Sequence, residues 1–127
     1  MAHYQQLQTL LRRVEEAELI WAKLDQVVER YALNPRAVAS LYDAILGLRI
    51  RHPSYRSAIH SATGEEITEQ TTSRDLKVLA DSGLLMAHGE RRGRYYTAGP
   101  ELQALRAALM EKRSRGLADP FHSVGDR

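Results

Sequence analysis

The order of elements predicts a mainly α chain: a winged helix-turn-helix with a small β-hairpin wing, preceded by a long helix and followed by another. Three observations predict it. Residues 3–31 carry an unbroken helical apolar seam, residues 34–82 carry three shorter capped helical patterns, and two short strand-like runs flank a glycine-bracketed turn at residues 89–93. The corresponding organisation is a long amphipathic helix at 1–32, the winged helix-turn-helix at 33–99, a C-terminal helix at 100–113 and a flexible tail at 114–127.

In the first helix Leu7, Leu10, Val14, Ala17, Trp21, Leu24, Val28 and Tyr31 repeat at alternating steps of three and four, a heptad seam. Leu11, Ile20 and Val27 widen it, as on a helix that packs on more than one neighbour. Two readings stand side by side. Either the helix covers its own domain, or Leu7, Leu10, Val14, Trp21, Leu24 and Val28 form the seam of a homodimer.

Asn34-Pro35 then caps and opens a helix through Val38, Leu41, Tyr42, Ile45 and Leu48. Pro53 disfavours helix at His52 and ends it. A short helix with Tyr55, Ala58 and Ile59 inward follows and stops at Gly64. Glu65-Glu66-Ile67 reads as a short extended piece, and Thr68 caps a helix to about Asp81 with Thr72, Leu76 and Leu79 inward. Leu84–His88 and Arg94–Thr97 read as the strands of the hairpin, and Tyr95 and Tyr96 should point to opposite faces of it. Pro100 opens the last helix, with Leu102, Leu105, Leu109 and Met110 on its apolar side.

In this order of elements the helix at 68–82 is the one that can enter a major groove. With Thr72, Leu76 and Leu79 inward, Gln70, Thr71, Ser73, Arg74 and Lys77 face outward. These side chains can read base edges: arginine and lysine address guanine, glutamine addresses adenine, and the hydroxyls reach bases or phosphates. Arg91, Arg92 and Arg94 lie in or beside the wing, placed to hold phosphates or enter a minor groove. The expected partner is double-stranded DNA. Charge argues the other way, toward a protein-docking module. The chain nets only +2; residues 35–62 net +3, but residues 63–97 net −1, and Glu65, Glu66, Glu69, Asp75 and Asp81 lie close to the recognition surface.

Other chemistry finds little support. There is no cysteine, so disulfides and thiolate catalysis are excluded. His3, His52, His60, His88 and His122 show no ligand spacing, so no metal is expected. The Gly89–Arg94 run lacks the Gly-Lys-Ser/Thr ending of a phosphate loop, and no serine sits on a nucleophile elbow. No catalytic residue and no cofactor is assigned. With no apolar run of membrane-spanning length and no signal-like N-terminus, the expected location is the cytoplasm.

Residues 33–98 carry a further pattern. Leu33-Asn34-Pro35-Arg36 is followed by Thr71-Thr72-Ser73-Arg74-Asp75-Leu76-Lys77-Val78-Leu79, then Ala80-Asp81-Ser82-Gly83-Leu84-Leu85, and finally Gly93-Arg94-Tyr95-Tyr96. This resembles the C-terminal winged-helix domain of Fic-family proteins, and the helix at 3–31 resembles the long helix that precedes it there. The leucines and glycine of the central stretch also occur in other winged-helix regulators, where packing and helix termination demand them. The Fic catalytic motif, His-Pro-Phe-x-Asp/Glu-Gly-Asn-Gly-x-x-Arg, has no counterpart: His52-Pro53 is followed by Ser54-Tyr55-Arg56, and Asp119-Pro120-Phe121 is a partial echo. The resemblance therefore implies a non-catalytic DNA-binding or regulatory module. It could also dock on a Fic catalytic domain, as an excised part of such a protein or as a free-standing gene.

Overall fold

A computed structural model describes residues 2–111, with side chains described from residue 14 onward. The expected tail at 114–127 and the last residues of the C-terminal helix lie outside the described residues. Helix α1 spans Ala2–Arg30. It ends in a left-handed residue, Ala32 (φ 56°), where the Leu33 amide donates to the Val28 carbonyl at 2.9 Å. The Asn34 side chain accepts from the Arg36 amide at 3.0 Å and caps a 3₁₀ turn, Pro35–Ala37. That turn runs directly into α2, Val38–Ile45.

Helix α2 is one turn shorter than its apolar spacing predicts. Gly47 adopts φ +92° and reverses the chain, the Leu48 amide closes on the Asp43 carbonyl at 3.0 Å, and Leu48 is left 53% exposed. Ile50 then pairs with Tyr96, each amide donating to the other's carbonyl at 2.8 Å. His52 does not end a helix but begins α3, His52–Thr63, with Pro53 in its first turn, where a missing N–H costs nothing. Gly64 caps α3 in the left-handed region, and Thr68 caps α4, Glu69–Asp81, by accepting from the Thr71 amide.

Strand β1, Leu85–His88, pairs antiparallel with β2, Tyr95–Ala98, in the register Leu85↔Ala98 to His88↔Tyr95. Helix α5 covers residues 100–111. Beside β2 the sheet is extended by Ile50, and the 65–67 segment, expected to be extended, forms no strand. That piece is irregular coil whose Ile67 packs on the core. Inward positions of the sheet, Ile50, Leu85 and Tyr96, close the core over Leu41, Ile45, Tyr55, Ile59, Leu76, Leu79 and Leu102. Each such fully buried side chain contributes roughly 1.5–3 kcal/mol. At the other end of the core, Arg30 and Tyr31 donate to Glu101 and tie the end of α1 to α5. The architecture is the predicted winged helix: α3 and α4 form the helix-turn-helix, and the β1–β2 hairpin forms the wing.

Candidate nucleic-acid interface

Helix α4 turns Thr72, Leu76 and Leu79 inward, at 0%, 0% and 1% exposure. The helical period then puts Gln70, Ser73, Arg74 and Lys77 on the solvent side, where each is exposed. Thr71 differs. It is half-buried and its hydroxyl accepts from Thr68 at 3.1 Å, so it belongs to the cap as much as to the outer face. Ser73 shares a hydrogen bond with His52 Nε2 at 3.3 Å, so the start of α3 abuts the outer face of α4. Lys77 pairs with Asp81 at 3.5 Å, but both are largely solvated and the pair constrains little. Val78, 43% exposed, adds an apolar position that polarity alone did not mark out.

Asp75 does not lie on that face. Arg36 donates to it from Nε (2.7 Å) and Nη2 (2.9 Å), and the Tyr55 hydroxyl donates at 2.9 Å. The arginine and aspartate side chains are only 17% and 13% exposed. Burial first, then the Asp75 carboxylate, pushes the Tyr55 phenol well above its usual range. The hydrogen bond to Asp75 likewise raises Arg36 further. Arg36 also reaches Glu65 at 3.6 Å. Two of the acids counted against phosphate binding, Asp75 and Glu65, are therefore matched by a cation from outside their own segment. The sequence showed the Arg74-Asp75-Leu76 run but not that a partner 39 residues away answers it.

At the wing, Glu90 and Arg94 bracket a 3₁₀ turn, Arg91–Gly93. Arg91, Arg92 and Arg94 are all exposed. Among the described residues none of them, nor Arg74, has a carboxylate within ion-pair distance. Tyr96 packs inward at 6% exposure, and Tyr95 takes the opposite face, as strand alternation requires.

The seam on α1 divides. Leu24 and Val28 are 0% and 2% exposed within this chain's own core, and Trp21 packs on Tyr42 with ring centroids 5.6 Å apart. Leu24 and Val28 are thus corrected from dimer-seam candidates to core residues, buried within this chain's own cluster. Val14 is 52% exposed and Leu19 38%. The side chains of Leu7 and Leu10 lie outside the described residues. A groove of about 540 Å³ between α2, β2 and α5, lined by Leu48, Thr97, Arg106 and Met110 among others, includes none of the predicted contact residues. Among the described residues no helix is long and apolar enough to cross a membrane.

No protein-family model matches the chain. No curated protein matches it. Among solved structures it is similar to a MarR family protein from Bacillus stearothermophilus, at 16% identity and a TM-score of 0.44, over 96% of this chain and 81% of that one.

Proposed function

We propose that this chain is a DNA-binding module of a transcriptional regulator, with α4 in the major groove and the wing on the backbone. The observation that carries this reading is the sorting of charge on α4. Gln70, Ser73, Arg74 and Lys77 are turned to solvent, while the one acid in their midst, Asp75, is turned inward and neutralised by Arg36. Arg91, Arg92 and Arg94, without a carboxylate partner among the described residues, extend the cationic surface to the wing. No residue is assigned to catalysis.

Fluorescence anisotropy with labelled random-sequence duplexes, titrated from about 50 to 200 mM salt, tests the reading, since phosphate contacts appear as a steep slope. Duplexes enriched from that pool should bind Arg74→Ala about 1–3 kcal/mol more weakly than wild type, with relaxed preference among sequences. Equal affinity of Arg74→Ala for every duplex would remove α4 from the groove.

A second reading, docking on protein, is favoured by α1. Its seam continues past the core to Val14, which stays exposed. A homodimer would cover it. So would the catalytic domain of a Fic-type protein, the partner that the resemblance of residues 33–98 suggests. Duplex binding absent at the low-salt end, with a stable complex on such a domain, decides for docking.

A further inference from the structure

The outer face of the sheet carries a basic cluster that is not among the groove-reading and wing residues. Ile50 points inward, so its neighbours Arg49 and Arg51 point outward beside Tyr95. The Arg49 guanidinium carbon lies 4.3 Å from the Tyr95 ring centroid, and that of Arg51 lies 5.6 Å away. His88 stacks on the same ring at 5.0 Å and 17°, and shares a 2.7 Å hydrogen bond with the Thr97 hydroxyl.

Both arginines are exposed, and among the described residues no carboxylate pairs with either. A guanidinium that lays its face on an aromatic ring is held in place while its edge donors stay free. Two such cations over one ring also repel each other, and an anion between their edges would relieve that repulsion.

The position of the pair connects the two contact surfaces already described. Arg51 immediately precedes α3, whose His52 touches Ser73 on the outer face of α4. Tyr95 opens β2 directly after the wing's Arg94.

We infer that Arg49 and Arg51, held by Tyr95, form a phosphodiester-binding site that grips the DNA backbone between the groove helix and the wing. This rests on the DNA-binding reading. It adds a contact that strengthens binding without reading sequence, because phosphates are the same at every base pair.

The test uses the full chain and the same labelled duplexes. Arg49→Ala/Arg51→Ala should lower affinity about tenfold or more and make the slope of log K against log salt shallower by about 1.8, the share of two phosphates. Its order of preference among duplexes should match wild type. Tyr95→Leu keeps both charges but removes their platform, and should weaken binding by less than the double substitution. Thermal melts of each variant identify any loss that comes from unfolding. Arg49→Ala/Arg51→Ala that is folded and binds with wild-type affinity and slope overturns this site while leaving α4 untouched. Wild type that binds no duplex overturns both readings. Polyglutamate that binds as tightly as duplex, through the same two arginines, makes the site one for acidic peptide and overturns the phosphate assignment.

Discussion

At Asp75 a single carboxylate accepts from Arg36 and Tyr55 and joins three elements: the turn before α2, α3 and α4. Removing Arg36 leaves a nearly buried charge with one remaining donor. Arg36→Ala should therefore cost about 3 kcal/mol in chemical denaturation. Tyr55→Phe leaves the Arg36–Asp75 pair in place and should cost less, about 1–2 kcal/mol. The two variants also differ in alkali. The Tyr55 phenol is raised above its ordinary value in the folded chain, so its contribution is complete below about pH 10, where an unfolded tyrosine starts to ionise. It is lost progressively as the pH rises beyond that. Thermal melts on either side of that pH should show a shallower alkaline decline for Tyr55→Phe than for Arg36→Ala. Parallel declines would mean that the phenol does not set the slope.

Between elements, the chain after β2 passes close against the turn after α4. A Cβ on Gly99 would meet the Gly83 carbonyl oxygen at 2.0 Å, and the Gly99 amide donates to the Leu84 carbonyl at 2.8 Å. Neither partner is a side chain that can swing away. Gly99→Ala should cost about 3 kcal/mol by forcing the wing off α4. Gly93→Ala, in the wing turn, meets nothing within 4 Å and should stay within about 0.5 kcal/mol of wild type. If the two variants denature alike, the wing is not seated on α4 as described. The caps at Asn34, Thr68 and Gly64 and the inward set Thr72, Leu76 and Leu79 follow from local rules, and the structure has them all. The end of α2 did not, because the three-four apolar spacing runs on to Leu48 while Gly47 stops the helix first.

On the scale of the whole molecule, α1 is the element that exceeds its domain. Leu24, Val27 and Val28 are buried in the core, while Val14, farther out on the same seam, remains at the surface. If the outer part of the seam pairs two chains, sedimentation equilibrium should show mass rising with concentration from 14.4 kDa toward twice that value. Val14→Asp should hold it at the lower mass. A chain that stays monomeric at high concentration gives α1 to a different partner or to none.

The sequence by itself determined the order of the helices and of the hairpin, the caps at Asn34, Gly64 and Thr68, the inward face of α4 and the arginines of the wing. All of these arise from periodicity and hydrogen bonding within a few residues of one another. Only the tertiary structure decided that Ile50 extends the sheet while residues 65–67 form no strand, that Leu24 and Val28 are core, and that Asp75 is answered by Arg36. It alone also brought Arg49 and Arg51 over Tyr95. These pairings join positions far apart in the chain. Which distant charge or ring a side chain meets depends on how the helices and sheet pack, and no local pattern encodes that.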